Sequence, residues 1–271
     1  MSKQQSGGNA KSLFAAMVIP IALIIGYLIW KFVMGDPSRF QDNNNELNPL
    51  PGDILATMYK GGIIVPILMG CFITVLTFSI ERFITIRKSK GTGSVENFVR
   101  TIRSLVASND INGAKAACSK QQGSIAAVVL AGLDMYEYML ADRDLDKERK
   151  LLAIQKELEE ATTLELPMLS KNLVIISTIA SIATLLGLLG TVIGMIRAFA
   201  ALATAGAPDA VALSTGISEA LNNTALGIGT SAVAIIMYNF FTSRIDNITY
   251  GIDEAGYSIV QSFASRYKEQ K

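Results

Sequence analysis

One carboxylate stands where carboxylates are costly. Glu219 is the only Asp, Glu, Lys or Arg in the apolar stretch from about Val211 to Phe241. Burying it ionised in hydrocarbon costs at least ~2.5 kcal/mol, so it should face a cavity or a partner. A carboxyl kept out of water is suited to taking up and releasing a proton. Asn222, Asn223, Thr224 and Thr230 follow within three turns and could bond it or ordered water. The bland alternative is a solvated carboxylate. Counting roughly 20 residues back from Phe241 puts the span boundary near Leu221, close to Glu219.

A second set lies in 177–199. Ser177, Ser181, Thr184, Gly187, Thr191, Gly194 and Ala198 recur at spacings of three and four, on one helical face. The next span carries its own stripe of Gly216, Ala220 or Glu219, Asn223, Gly227, Ser231 or Thr230, and Ala234. Small residues let membrane helices approach closely, so pure packing explains the glycines and alanines. It explains the hydroxyls less well. They point to a pore-facing surface, although a hydroxyl can also bond its own helix backbone.

Other chemistry finds little support. There is no His, which removes His-based catalysis and His-ligated zinc. Cys71 and Cys118 read as a packing residue and a reduced thiol. Gly187-Leu-Leu-Gly190-Thr191 lacks the lysine of a phosphate loop. Glu157, Glu159, Glu160 and Glu165 read as a solvated face. No nucleophile has a base, so an enzyme is not expected, nor any cofactor or bound metal. Lys+Arg 24 against Asp+Glu 23 leaves no basic surplus for nucleic acid.

The elements that position these residues follow from composition. Across 271 residues, 50% are hydrophobic and only 17% charged. A soluble chain usually carries about 25% charged residues. Four stretches reach the roughly 20 apolar residues that a bilayer requires: Leu13–Met34, Gly61–Ile80, Leu173–Ile196 and about Val211–Phe241. The first is longer than a signal peptide's apolar region and lacks a convincing cleavage site, so it is expected to stay as an anchor.

The expected class is all-α: a polytopic membrane protein with four spans and long helices continuing into a cytoplasmic helical domain. Its segments are a tail 1–11, an extra N-terminal span 12–34, a periplasmic loop 35–60, a first core span 61–86 and a cytoplasmic domain 87–171. A second core span 172–198, a loop 199–212, a third core span 213–243 and an amphipathic C-terminal helix 244–271 complete it. Lys and Arg cluster after the second and fourth spans, at Arg82, Arg87, Lys88, Lys90, Arg244, Arg266, Lys268 and Lys271. That bias puts both termini in the cytoplasm.

Within 87–171, breaks are expected at Ser108-Asn109-Asp110 and Gln121-Gln122-Gly123-Ser124. Leu151, Ile154, Leu158, Ala161 and Met168 form one amphipathic stripe. Ile245, Ile248, Ile252, Ala255, Ile259 and Phe263 form another. Periodicity leaves open whether they pack within the chain or against other copies. Pro167 is expected to kink the helix ahead of the third stretch.

These motifs resemble those of a known family. Gly187-Leu-Leu-Gly190-Thr191-Val192-x-Gly194-Met195 with Phe199 resembles the second core span of the MotA/TolQ/ExbB proton-channel family. Ile217-Ser218-Glu219-Ala220-Leu221-x-x-Thr224-Ala225-x-Gly227, running on to Tyr238-Asn239, resembles the third core span of its ExbB and TolQ branch. Glu81-Arg82 with the basic stretch after it also fits, so that the likeness covers about 61–245.

The resemblance implies a pentamer in the bacterial inner membrane, with a single-span ExbD- or TolR-like partner in its pore and membrane lipid around it. Proton flow would then drive a TonB-like protein. Glu219, Thr191 and Thr224 match the family's ion-pathway residues. Thr184, Gly187, Gly194, Asn222, Asn223, Gly227 and Thr230 are candidates to line the pore. The chain departs from the family's three-span plan in its extra span and in Asn222-Asn223, whose oxygens leave Na⁺ open beside H⁺. A TolQ-like or motility-stator role, or a non-conducting scaffold, is the alternative.

Overall fold

The computed structural model describes residues 3–204 and 210–266. The described residues are helical apart from turns and one isolated antiparallel bridge, Phe40 to Pro49. The helices are α1 (Lys3–Leu28), α2 (Ile54–Tyr59), α3 (Ile64–Lys90), α4 (Val95–Ala107), α5 (Ile111–Gln121), α6 (Gly123–Ala141), α7 (Lys147–Ser170), α8 (Leu173–Thr204) and α9 (Ala210–Arg266). A π-helical turn, Ile29–Met34, follows α1. The chain is an all-α polytopic membrane protein.

Two compact units divide the contacts: residues 1–80 with 172–238, and 81–171 with 239–271. In the first unit α1 lies on α3 through glycines. A methyl added to Gly26 would sit 2.7 Å from the Pro66 carbonyl oxygen and 2.8 Å from the Gly70 nitrogen. Ala22 is buried there, while Ile21, Ile24 and Leu28 are exposed away from that face of α1, as a lipid-facing surface would be.

The segment 35–60, expected as a periplasmic loop, is tightly organised. Trp30 stacks on Tyr59 with ring centroids 4.8 Å apart and planes at 21°. The Arg39 guanidinium pairs with Asp53 at 2.9 Å, and Asp53 caps α2 by accepting from the Ala56 amide at 3.0 Å. That amide, reinforced by Arg39, holds the Asp53 carboxyl below its usual range.

The second unit is a helical bundle. α4 buries Phe98, Val99, Ile102 and Val106 at helical spacing. All six residues of the α9 stripe are buried, from Ile245 to Phe263, so that stripe is satisfied within its own chain. The α7 stripe is split: Ile154 and Leu158 are buried and Met168 is exposed. Among the described residues, five helical segments are long and apolar enough to cross a bilayer, one more than expected. The extra one is α6. Its Ile125, Val128, Val129, Leu133 and Tyr136 are fully buried in this bundle, with Tyr136 edge-on to Phe263 at 5.1 Å. Its apolar character serves the bundle core.

Cys118 lies in the same core, and burial, with Asp134 nearby, pushes its thiol up to about 12. Arg82 is buried, donates to the carbonyls of Met168 and Leu169 at 3.1 Å each, and binds the Glu81 carboxylate. It thereby caps the last turn of α7, where carbonyls lack helical partners.

The breaks at Asn109 and Gln122 fall where expected, both residues having positive φ. α7 runs through Pro167 to Ser170, and the chain turns at Lys171-Asn172, with Asn172 at φ +66°. A short polar residue tolerates that left-handed conformation; a proline cannot adopt it. Of the expected loop 199–212, helix covers residues 199–204 and 210–212, and residues 205–209 lie outside the described residues. No break separates 213–243 from the C-terminal segment: α9 is one helix as far as Arg266.

Candidate functional site

The site is built on the antiparallel pair α8 and α9, which meet along a seam of small residues. A methyl added to Gly187 would lie 3.0 Å from the Asn223 carbonyl oxygen and 3.1 Å from the Gly227 Cα. One on Gly190 would lie 2.5 Å from the Asn223 Cβ, one on Gly194 2.6 Å from the Ala220 Cβ, and one on Gly216 2.8 Å from the Ala198 Cβ. Two hydroxyls stitch across the seam. Thr224 Oγ1 donates to the Gly187 carbonyl at 3.0 Å, and Ser231 Oγ to the Ala180 carbonyl at 2.5 Å.

The seven-residue stripe of α8 is thus two faces. Gly187, Gly194 and Ala198 pack on α9, with Gly190 beside them. Thr184 and Ser181 are exposed and Ser177 and Thr191 half-buried, displaced around the helix by roughly 40–120° from Gly187 at 100° per residue. The glycines are packing residues, and the hydroxyls form a separate face.

Glu219 is half-buried. It shares a recess with Gly216, Ala220 and Asn223 of α9, with Gly190, Ile193, Gly194 and Arg197 of α8, and with Lys60, Gly61, Ile63 and Ile64. The free volume is about 40 Å³, room for a water molecule or so. Asn223 is 2% exposed, its Nδ2 donates to the Gly61 carbonyl at 3.0 Å, and its Oδ1 has no protein partner. Buried amide oxygens are normally satisfied, so this one is free to accept from a water. The Lys60 ammonium is tied to the Glu46 carbonyl at 2.8 Å. Two cations and one carboxylate therefore line one small polar recess at an end of the α8–α9 pair.

The other sequence candidates lie elsewhere. Thr191 donates to the Leu188 carbonyl of its own helix at 2.6 Å and lines a shallow groove with Val192, Met195, Ile196 and Phe199. Thr224, Gly187 and Gly227 are seam residues. Thr230 is buried with its hydroxyl unpartnered in the protein, and Asn222 is half-buried with its Nδ2 in the same condition. Glu219, Gly194 and Asn223 thus meet in one recess. Thr191 does not line it. Sequence reasoning misses Lys60 and Gly61 as site residues, because Gly61 precedes its partner Asn223 by 162 positions. Arg197 carries a signal: it is the charge that closes an otherwise uncharged span.

Residues 120–254 match the family described as the MotA/TolQ/ExbB proton channel family. The biopolymer transport protein ExbB of Helicobacter pylori is 40% identical over 78 residues, which are 29% of this chain and 54% of that protein. ExbB of Aquifex aeolicus is 38% identical over 77 residues, 28% of this chain and 52% of its own. The Tol-Pal system protein TolQ of Pseudomonas aeruginosa is 28% identical over 120 residues, 44% of this chain and 52% of its own. The chain spans about half the length of these relatives.

Proposed function

The chain belongs to the MotA/TolQ/ExbB proton channel family, and on that premise we propose that it is the ExbB-like pore-forming subunit of a motor in the bacterial inner membrane. Proton flow down the gradient is its energy source. It makes and breaks no covalent bonds in a substrate and needs no cofactor; H⁺ is favoured over Na⁺ as the ion. Both termini face the cytoplasm. Copies of the chain form a ring of five around a single-span ExbD- or TolR-like subunit, and the ring's motion is passed to a TonB-like protein serving outer-membrane transport.

The observation that carries this reading is Glu219. It is the lone acidic or basic residue (Asp, Glu, Lys or Arg) of the apolar part of α9, half-buried in a polar recess beside an amide oxygen without a protein partner. A carboxyl so placed can exchange a proton with a partner group or a water. Thr191 adds a hydroxyl on the unpaired face of α8, and Thr224 fixes the register of the pair.

Glu219→Gln, which keeps the side chain's shape and removes its acid, tests it. A motor stalls yet still assembles, as read by ion flux and by the size of the purified complex. A Glu219→Gln complex that works normally would return the chain to the scaffold reading. The second reading, a TolQ-like role in envelope constriction, draws on the relative from Pseudomonas aeruginosa. The neighbouring genes discriminate the two.

A further inference from the structure

The span α1 has no counterpart in the three-span plan that the resemblance implies, yet a chain of contacts leads from it to Glu219. Trp30, just past α1, donates its indole N–H to the Tyr59 carbonyl at 3.1 Å and stacks on the Tyr59 ring. Phe40 closes on that ring edge-on at 5.5 Å, and Gly35 lies against it so closely that no side chain would fit there. Asn45 Nδ2 donates to the Gly35 carbonyl at 3.2 Å and reaches the Tyr59 hydroxyl at 3.4 Å. The next two residues, Lys60 and Gly61, are the wall of the Glu219 recess. Lys60 is steered by the Glu46 carbonyl and lies 5.7 Å over the Phe40 ring. The Gly61 carbonyl receives the Asn223 amide one turn from Glu219. All of these residues belong to one compact unit.

We infer that α1 and the folded segment 35–60 act as a buttress holding Lys60-Gly61 against α9, which makes Trp30 and Tyr59 positioning residues for ion exchange at Glu219. The inference rests on the proposed role of Glu219. Without the stack, Lys60 and Gly61 would hang between the short helix α2 and α3, on a stretch containing Gly61 and Gly62, and Gly62 already sits at positive φ. Such a stretch has little stiffness of its own. The recess would then open to bulk water, and Asn223 would lose the carbonyl that orients it.

The test uses the full chain in native membranes, with Cys71→Ser and Cys118→Ser, and with Ile193→Cys as a reporter inside the recess. A water-soluble maleimide measures access. Losing one aromatic stack and one hydrogen bond should raise the labelling rate in Trp30→Ala by roughly tenfold. Trp30→Phe keeps the stack and should stay within about threefold of the parent, since only the single hydrogen bond is lost. With the reporter absent, the pH midpoint for carbodiimide modification of Glu219 should move in Trp30→Ala and return in Trp30→Phe. Unchanged labelling and an unchanged midpoint in Trp30→Ala, at normal complex yield, would overturn the buttress. Should labelling respond while Glu219→Gln leaves ion flux intact, the buttress stands and the conduction reading falls.

Discussion

Thr191 and Thr224 carry the same side chain and are both expected, from the family resemblance, on the ion pathway, but the structure gives them different contacts. The perturbation that separates them is Val, which has nearly the same shape and lacks the hydroxyl. At Thr191 the lost bond runs to the Leu188 carbonyl of its own helix. Bonds of that kind add little, because the helix ladder already uses the carbonyl. At Thr224 the lost bond crosses to the Gly187 carbonyl of α8, where the helices are in backbone contact. Hydrogen bonds between membrane helices average about 0.6 kcal/mol and reach roughly 1.7. Thr224→Val should therefore lose about 0.6–1.7 kcal/mol, and Thr191→Val less than about 0.5, the range of changes away from such contacts. The sole tryptophan, Trp30, lies in the unit that holds both threonines, so its fluorescence in a detergent-to-SDS titration reads the difference. Ion flux should rank the other way: Thr191→Val should lose most of its flux at full assembly yield. If Thr191→Val loses as much stability as Thr224→Val, or if its flux falls only in proportion to yield, Thr191 is a packing residue and the division of roles is wrong.

Two further outcomes are expected. Arg82→Met removes the cap from the fully buried Leu169 carbonyl and should destabilise the chain by about 1–3 kcal/mol, the cost of an unsatisfied buried acceptor, read as a lower melting temperature in detergent. Lys115 bonds Asp134 at 2.7 Å and Glu137 at 2.5 Å, and these bonds raise its pKa. A raised pKa in the folded state gives stability that is present below the unfolded value of about 10.4 and fades as the pH climbs through the folded one. Lys115→Gln should thus cost about 0.2–1 kcal/mol at neutral pH, as part-exposed pairs do. The gap to the parent should close in strong alkali; a gap that widens there would reverse the sign of the argument.

Much of this is legible in the chain itself. The four apolar runs mark α1, α3, α8 and α9 from length alone, and Asn109 and Gln122 fall at breaks announced by turn-forming residues. Gly91-Thr92-Gly93-Ser94 and the aspartates between Asp142 and Asp146 are breaks of the same chemistry that the helical pattern masks. The α8 stripe illustrates a limit of pattern reading. A spacing of three and four selects a face more than 100° wide, and packing and solvent-facing residues can share it. α6 illustrates another, since hydropathy alone does not distinguish a bundle core from a bilayer. The recess around Glu219 is half legible. Glu219 and Asn223 declare themselves as polar groups in an apolar run, whereas Lys60 and Gly61 become site residues only through a carbonyl reaching across 162 positions.

The α8–α9 seam constrains the route an ion can take. Where an added methyl finds no space, a water molecule finds none either, so on the proposed reading no water-borne proton path threads the seam between these two helices. Such a path would run along their outer flank, past the hydroxyls of Ser181, Thr184 and Thr191, and a flank becomes a conduit only when something else supplies the opposite bank. A solitary copy would be leak-proof by construction, and permeation would be switched on by assembly itself.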